Sequence, residues 1–412
     1  MSFDFDTPIS RTGTASVKYD GAPALFGRTE LIPLWVADMD FAAPVEITRA
    51  LVERASHPVY GYTLYPDSMI DAILSWMKKR NGWEIKREWL LFCPGVVTAL
   101  HATVLAVTQP GDRVIVQTPV YAPFYSCVTT TGRELVHNPL LLQQGRYHID
   151  FEHLEQCAAQ GARLLLLCSP HNPVGRVWTR SELERVLEIA HRHQLIVLSD
   201  EIHADLIYPG IRHSPLATLA GEGDSVITAL APSKTFNIPG LGLAALVVPD
   251  SLQRGALKNA FEQLHVQACN PFSIVAFEAA YVAGERWLES LLVYLQATLD
   301  FVRDYLVKHL PGIVLIEPEG TYLLWLDCRQ LGLSDKALKH FFVQEAGVGL
   351  SPGTLFGAAG SGFMRMNIGA PRAIIAKALE QTRLALEVLR KGSLADQASV
   401  LPSAVVLKPP ST

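Results

Sequence analysis

Long apolar runs are missing from this sequence. No stretch approaches the roughly 18 consecutive apolar residues that a membrane-spanning helix needs, and the run LLLLC at 164–168 is far too short. The first ten residues, MSFDFDTPIS, are acidic and lack the apolar core of a secretory signal. We therefore expect a protein that has no membrane partner.

An excess of positive charge is also missing. The chain has 35 lysine and arginine residues against 40 aspartate and glutamate residues, which gives a formal net charge of −5. A nucleic-acid-binding protein normally carries a basic surface, so we expect no nucleic-acid partner. The six cysteines are scattered and form no CxxC pair. This spacing favours reduced, mostly buried thiols in a cytoplasmic protein and predicts no metal site.

Two common cofactor motifs are missing as well. The sequence contains neither GxGxxG, which opens a dinucleotide site, nor GxxxxGK[ST], which cradles a nucleoside triphosphate. The glycine-rich stretches GVGLSPG and GAAGSG have neither spacing and are interpreted as loops. Nicotinamide and triphosphate chemistry are therefore disfavoured.

The 412 residues are 49% hydrophobic and 18% charged, which is typical of a folded globular protein. Short aliphatic runs alternate with amphipathic helical patterns, and runs without polar alternation suit a parallel sheet covered on both faces. We predict an α/β fold: a large domain whose mainly parallel sheet is flanked by helices, plus a smaller α+β domain. The predicted strands lie in WLLFCPG, DRVIVQTP, ARLLLLCSP, LIVLSD, SVITAL and LAALVVP.

The pattern also predicts the domain boundaries. Residues 1–45 form an N-terminal segment that belongs to the small domain, and residues 46–280 form the large, cofactor-binding domain. Residues 281–390 form the small C-terminal domain, in which GIVLIEPEGTYLLWLD predicts two strands that turn at PEG. Residues 391–412 have no clear period and are interpreted as a tail. A capping box is predicted at SELE, near 181–184.

Five of the predicted strands are followed by a residue that could contact a ligand. These residues are Gly95 at a helix start, Tyr121, Asn172, Asp200 and Lys234. Each has an ordinary structural explanation when taken alone, such as a turn, a helix cap or a solvated charge. Ligands of open parallel sheets bind beyond the carboxyl ends of the strands, so the five together indicate one crevice.

These five residues suit pyridoxal phosphate. A lysine amine bonds to the cofactor's aldehyde, and a carboxylate keeps the pyridine nitrogen protonated. An amide can contact the 3-oxygen, an aromatic ring can stack on the pyridine, and a helix N-terminus can bind the phosphate. No other common cofactor needs all five groups.

The motifs SPHNPVG, SDEIHADLIY, SKTFNIPGLG and MRMNIGAPR together resemble the fold-type I pyridoxal-phosphate enzymes of the class I/II aminotransferase group. The likeness covers about residues 10 to 390. LWVADMDF, YGYT and PGVVTAL further resemble the MalY/PatB branch, whose members are cystathionine β-lyases and related cysteine–sulfur lyases. The resemblance implies that the protein binds pyridoxal 5'-phosphate and an amino-acid substrate and forms a homodimer.

The resemblance implies a role for each matching residue. Lys234 is the catalytic lysine that binds the cofactor, Asp200 pairs with the pyridine nitrogen, and Tyr121 stacks on the ring. Asn172 contacts the 3-oxygen and lies in the substrate site. Arg365 binds the substrate α-carboxylate through paired hydrogen bonds.

The phosphate is assigned a separate set of residues by the same resemblance. Gly95, Val96 and Val97 lie at the phosphate-binding helix start, and Ser233 is a phosphate ligand. Tyr62, in YGYT, reaches the phosphate of the neighbouring subunit.

Some positions depart from the aminotransferase pattern or leave a role open. Many members have serine at the position of Ala231, and aspartate-type members have arginine at Gly242, so we expect the phosphate to meet less positive charge. His203 replaces a tyrosine and is either a cofactor neighbour or a packed structural histidine. Trp35 is predicted to shape the substrate pocket. Glu201 is expected to make a structural contact.

The resemblance implies α,β-elimination. The amine of Lys234 removes the Cα proton of cystathionine or a related S-substituted cysteine, and the products are a thiol, pyruvate and ammonia. An L-amino-acid aminotransferase is the first alternative, because both reactions begin at the same proton. A regulatory protein that acts through protein contacts on the same fold is the second.

Overall fold

The computed structural model describes residues 3–399 and contains alternating helices and strands. The α-helices are α1 Ala22–Phe26, α2 Val45–Ser56, α3 Asp67–Asn81, α4 Val96–Val107, α5 Pro123–Thr129, α6 Phe151–Ala159, α7 Arg180–Arg192, α8 Ser251–Gln263, α9 Pro271–Ala283, α10 Glu285–His309, α11 Asp335–His340 and α12 Arg372–Ser399. The strands are β1 Ile32–Pro33, β2 Leu90–Cys93, β3 Arg113–Thr118, β4 Glu134–Pro139, β5 Leu141–Gln143, β6 Arg146–His148, β7 Ala162–Cys168, β8 Ile196–Asp200, β9 Ser225–Leu230, β10 Ala244–Val247, β11 Val314–Ile316, β12 Leu323–Asp327, β13 Val348–Gly349, β14 Ser351–Pro352 and β15 Phe363–Asn367. Short 3₁₀ turns lie at Arg87–Trp89, Leu216–Thr218, Pro239–Leu241, Arg329–Leu331, Gly353–Phe356 and Ala358–Gly360, and a π turn lies at Phe341–Glu345.

The central sheet has seven strands in the order β2-β10-β9-β8-β7-β3-β4. All neighbouring strands are parallel except β10, which is antiparallel to both β2 and β9. The six aliphatic runs predicted as strands are all confirmed as members of this sheet, and so is its mainly parallel character. The edge strand β4 was not predicted, because its sequence ELVHNP alternates exposed and covered residues and lacks an aliphatic run.

Alternate residues of the central strands pack into two different cores. Val114 and Val116 of β3 join one core with residues of α4, α5 and α8. Ile115, which lies between them, joins a second core with residues of α6 and α7. Because side chains of a strand point alternately to the two faces, this division shows that helices cover both sides of the sheet.

A smaller antiparallel sheet has the order β11-β12-β15-β14. The strand pair predicted around PEG is confirmed, since β11 pairs with β12 on either side of it. Strand β1 of the N-terminal segment pairs with β13, where Ile32 lies opposite Val348. This pairing supports the predicted place of residues 1–45 in the small domain, and the exact domain boundaries stay a prediction.

Two local predictions differ from the structure. The capping box of α7 is formed by Thr179 and Glu182, two residues before the predicted SELE, because the chain turns helical at Arg180. Helix α12 extends to Ser399, so the predicted tail begins inside a helix. The rest of that tail, 400–412, lies outside the described residues. In the part of the chain that is described, no helix is long and apolar enough to cross a membrane.

Candidate active site

The carboxyl ends of five strands meet at one edge of the central sheet. Strand β10 is antiparallel to both of its neighbours, β2 and β9, so those two run in the same direction. Strands β8, β7 and β3 are parallel to β9 and share that direction. The segments that follow them carry Gly95, Tyr121, Asn172, Asp200 and Lys234. The predicted strand ends therefore lie at the same edge.

Lys234 follows β9 and lies half-buried at this edge. Its Nζ donates a hydrogen bond of 2.7 Å to the carbonyl oxygen of Ala37. The pKa of Lys234 is lowered to about 8: burial and the positive charge of Arg365 lower it, and the carboxylates of Asp38 and Asp200 partly oppose the shift. A lysine in this environment supplies an unprotonated amine near neutral pH.

Asp200 ends β8 and is almost completely buried. Its Oδ1 accepts a hydrogen bond of 3.1 Å from the backbone N–H of Ile202. The pKa of this carboxyl is raised to about 7, mainly by burial. The backbone hydrogen bond and the charge of Lys234 lower the pKa, and the charge of Glu201 raises it. The site thus holds a carboxyl that would ionise fully if a cation were placed against it.

Glu201 is buried beside Asp200 and makes structural contacts. Its Oε1 accepts hydrogen bonds from Ser199 Oγ at 2.8 Å and from the backbone N–H of Leu216 at 3.0 Å. Its Oε2 lies 3.0 Å from Nε2 of His213. These contacts fix the loop after β8, as we expected for Glu201.

His203 lies in the same pocket, 3% exposed, with its ring edge-on to Tyr322 at 6.4 Å between centroids. Burial lowers the pKa of His203 to about 3, and the charges of Lys234 and Arg365 contribute in the same direction. The imidazole is therefore neutral. Its Nδ1 has no hydrogen-bond partner among the described residues.

Arg365 comes from β15 of the small sheet and reaches the edge of the central sheet. One guanidinium nitrogen donates to Asn172 Oδ1 at 3.1 Å and another to the carbonyl of Trp35 at 2.9 Å. The guanidinium carbon lies 4.7 Å from the ring centroid of Phe356, a cation–π contact. Burial lowers the pKa of Arg365 to about 10, whereas Tyr121 and Tyr322 raise it. Its hydrogen-bond acceptors are neutral, so this buried cation has no carboxylate partner in the part of the chain that the structure describes.

Trp35 contacts the site through its backbone. Its carbonyl accepts from Arg365, while its indole Nε1 donates to the carbonyl of Lys18 at 3.1 Å. The ring packs edge-on against Phe26 at 5.7 Å. Trp35 therefore contacts Arg365 through its backbone carbonyl, whereas its indole contacts Lys18 and Phe26. A role of the indole in shaping the substrate pocket stays a prediction.

Helix α4 begins at the same edge, after Gly95. Gly95 has φ 150°, a conformation that glycine adopts readily and other residues do not. Val96 is buried and Val97 is partly exposed, and no side chain of the described residues caps the first turn. The free N–H groups of such a turn favour an anion. Gly242 lies against this turn: a Cβ there would be 3.0 Å from the carbonyl of Pro94.

Two tyrosines and a serine complete the set of predicted residues. Tyr121 is partly exposed. Burial raises the pKa of its hydroxyl, the charge of Arg365 lowers it and that of Asp200 raises it. Ser233 is half-buried next to Lys234. Tyr62 is completely exposed on the loop between α2 and α3. The single chain therefore places Tyr62 on its outer surface.

Several residues of the site were not predicted. The hydroxyl of Tyr322 donates a hydrogen bond of 2.9 Å to the carbonyl of Ala37, which also accepts from Lys234. The amide of Asn367 donates to the carbonyls of Val36 and Asp38, both at 2.6 Å. No sequence signal could have revealed these contacts, because their acceptors are backbone carbonyls that every residue has.

The arrangement fits pyridoxal phosphate. Within residues 3–399 the buried carboxyl of Asp200 has one hydrogen-bond donor, a backbone N–H, so a protonated pyridine nitrogen would supply a cation to pair with it. Lys234 presents an amine of lowered pKa, and the uncapped turn after Gly95 presents N–H groups to a phosphate. A metal is not indicated: among residues 3–399 no group of three or more histidine, cysteine, aspartate or glutamate side chains could hold one.

Comparisons with known proteins agree with this chemistry. The sequence profile of the family "Aminotransferase class I and II" matches residues 29–381. Cystathionine beta-lyase PatB of Bacillus subtilis is 43% identical over 93% of this chain and 100% of its own length. Protein MalY of Escherichia coli is 32% identical over 94% of this chain and 100% of its own length.

A solved structure gives the same result. Cystalysin from Treponema denticola, whose crystal structure contains pyridoxal 5'-phosphate, superposes with a TM-score of 0.92 at 35% identity, over 94% of this chain and 100% of its own. The chain belongs to the class I and II aminotransferase family, in the branch that contains PatB and MalY.

Proposed function

We propose that this protein is a pyridoxal-phosphate-dependent carbon–sulfur lyase that cleaves cystathionine or a related S-substituted cysteine to a thiol, pyruvate and ammonia. The observation that carries the proposal is the amine of Lys234, whose pKa is near 8 and which lies within electrostatic reach of Asp200 and Arg365. The identity to PatB, itself named a cystathionine β-lyase, favours a sulfur-containing substrate.

The cofactor, when bound, withdraws the electrons left on Cα after the proton is removed. Asp200 would hold a proton on the pyridine nitrogen, because a cation beside this buried carboxyl lowers its pKa. Asn172 and Tyr121 would contact the ring, and Gly95, Val96, Val97 and Ser233 would bind the phosphate. His203 is neutral and can lend the ring an uncharged hydrogen-bonding partner.

The substrate α-carboxylate would bind Arg365. Among the described residues, this buried guanidinium donates to neutral oxygens, those of Asn172, Trp35 and Ser351. A carboxylate would accept a charge-assisted, paired hydrogen bond in their place. With the carboxylate fixed there, the amine of Lys234 removes the Cα proton; it is increasingly unprotonated as the pH rises through about 8.

Purified protein supplied with the cofactor and cystathionine should release free thiol and pyruvate together. The Lys234→Ala variant should release neither, because it lacks the amine that binds the cofactor and removes the proton. Both are measured by thiol titration and by a coupled pyruvate assay. A stable amine form of the cofactor with a keto acid of unchanged carbon skeleton would identify an aminotransferase instead.

We further propose that the protein works as a homodimer in the cytoplasm. The loop before α3 exposes apolar side chains at Val59, Tyr60, Tyr62 and Leu64. Exposed apolar clusters of this kind mark interaction surfaces, and a second copy of the chain would cover them. In that arrangement Tyr62 would reach the phosphate of the neighbouring subunit.

A further inference from the structure

The backbone of residues 34–41, the LWVADMDF segment, lies between the two functional cations. The carbonyl of Trp35 accepts from Arg365, and the carbonyl of Ala37 accepts from Lys234. The two acceptors are only two residues apart in the chain. Any shift of this segment would therefore move the acceptors of both cations together.

Side chains from the small sheet and from the connection between β9 and β10 hold the LWVADMDF segment. From the small sheet, the amide of Asn367 donates to the carbonyls of Val36 and Asp38. From the large domain, Asn237 accepts from the N–H of Met39 at 2.8 Å and donates to the carbonyls of Met39 and Phe41. The segment is thus a connection between the parts that carry Lys234 and Arg365.

A cluster of four charges, the N-terminal charge cluster, anchors the outer side of the segment. Lys18 Nζ lies 2.8 Å from Asp40 Oδ2 and 3.3 Å from the carbonyl of Asp38. Arg11 forms a paired hydrogen bond with the carboxylate of Asp38, at 2.7 and 3.0 Å, and a further one with Asp40 at 2.8 Å. Two cations thus neutralise two carboxylates.

Two charges of this cluster are buried, so each needs a partner of opposite charge. Lys18 is 0% exposed and Asp40 is 3% exposed. A buried ion pair is a poor source of stability, because removing charges from water costs about as much as their attraction returns. What such a pair does provide is a fixed position, since no other arrangement satisfies both charges.

The cluster also acts on Lys234 electrostatically. Asp38 belongs to the cluster and raises the pKa of Lys234, as does Asp200, against the stronger effects of burial and Arg365. The other titratable groups around this amine are His203, which is neutral, and the hydroxyl of Tyr322, which shares the Ala37 carbonyl.

We infer that Arg11, Lys18 and Asp38 are positioning residues, which hold the Ala37 carbonyl and one negative charge against the amine of Lys234 and so set how readily that amine keeps a proton. The inference rests on the proposed function for the use of Lys234 as the base. Without the cluster, the amine loses an acceptor and a nearby carboxylate, and both losses favour its neutral form.

The test is the titration of Lys234 in the full-length chain freed of cofactor. The amine is half-buried, so a small acylating reagent can reach it. The rate of acylation, followed by mass spectrometry of the Lys234 peptide from pH 6 to 10, gives the midpoint of its titration. We expect Asp38→Asn, which removes the carboxylate, to lower this midpoint by about half a pH unit or more. Lys18→Met removes a cation instead, so it tests how the segment is anchored and is measured by hydrogen exchange.

Arg133→Met is the matched control. Arg133 is a buried cation that donates to Thr108 and Thr131, and it lies at the start of β4, on the opposite edge of the central sheet from Lys234. Its loss should destabilise the fold and leave the Lys234 midpoint unchanged. Hydrogen exchange of the LWVADMDF segment should accelerate in Lys18→Met and stay unchanged in Arg133→Met.

A Lys234 midpoint equal to that of wild type in Asp38→Asn, or unchanged hydrogen exchange of the LWVADMDF segment in Lys18→Met, would overturn the inference. If Lys18→Met does not fold, Asp38→Asn decides, since it removes the charge and keeps the shape. The titration needs no turnover. A wild-type protein that released no thiol would refute the proposed function and leave this measurement intact.

Discussion

Four side chains of the site have pKa values displaced toward their neutral forms. Burial raises the pKa of Asp200 to about 7 and lowers those of Lys234, His203 and Arg365 to about 8, 3 and 10. Charged groups are normally buried together with a partner of opposite charge. The proposed cofactor and substrate would supply the missing partners: a protonated pyridine nitrogen for Asp200 and an α-carboxylate for Arg365.

Asp200→Asn should change the pH dependence of stability of the cofactor-free chain. Because the folded pKa is raised to about 7, the folded state keeps a proton that the unfolded state loses near pH 4. The stability of the wild type should fall as the pH rises from about 4 to above 7. Asn cannot ionise, so at pH 8 the variant should be more stable than wild type, by on the order of a few kcal/mol.

Urea denaturation of both proteins at pH 4 and pH 8 measures this difference. Adding the cofactor provides the control: a protonated ring nitrogen pairs with Asp200 and not with Asn, so saturating cofactor should reverse the order of stability at pH 8. An advantage for the variant that is the same at both pH values would contradict the assigned burial effect.

Strands that are buried on both faces could be predicted from the sequence, because their residues are almost all aliphatic. Continuous aliphatic runs identified six of the seven strands of the sheet, and the chemistry of the residues that follow them indicated the crevice that holds Lys234. Strand β4 was missed because an edge strand is half solvated. The role of the LWVADMDF segment could not be predicted from its side chains, because it contacts Lys234 and Arg365 through backbone carbonyl oxygens.

The start of α4 allows a matched pair of glycine substitutions. A Cβ added at Gly95 or at Gly255 would meet no atom within 4 Å, so space does not distinguish the two positions. Gly95 has φ 150°, whereas Gly255 lies inside α8. Gly95→Ala should therefore cost about 1–2 kcal/mol of stability. Gly255→Ala should add about 0.5–1 kcal/mol.

Thermal unfolding measures both effects, and titration with cofactor separates the role of the turn from its strain. Gly95→Ala should also weaken cofactor binding, because the N–H groups at the start of α4 would change direction. Gly255→Ala should bind the cofactor as wild type does. Equal cofactor affinity in all three proteins would argue against phosphate binding at α4.

In the whole molecule, the proposed homodimer would complete each site with Tyr62 of the other chain. Mixing Lys234→Ala with Tyr62→Ala subunits tests this directly. A mixed dimer would contain one site with a native lysine from one chain and a native tyrosine from the other, so random exchange should produce native sites at about a quarter of all positions. Thiol release from the exchanged mixture should then exceed the mean of the two parent dimers.

The control is the same mixture measured before subunits exchange, which should show only that mean. Exchange is verified by native mass spectrometry with one variant isotopically labelled. If verified mixed dimers work no better than the mean of the parents, Tyr62 serves its own chain or has no role at the phosphate.

Strand β10 has a consequence for the order in which the chain can fold. It pairs with β2, so that Val247 lies opposite Leu90, and it separates β2 from β9. Contacts between such distant parts of the sequence form late, because a long loop must close first. During synthesis, the strand before α4 must wait for more than half of the chain to emerge. Strand β1 waits longer still, for its partner at Val348. The crevice would thus be among the last parts to assemble on the ribosome, after the inner strands that support it.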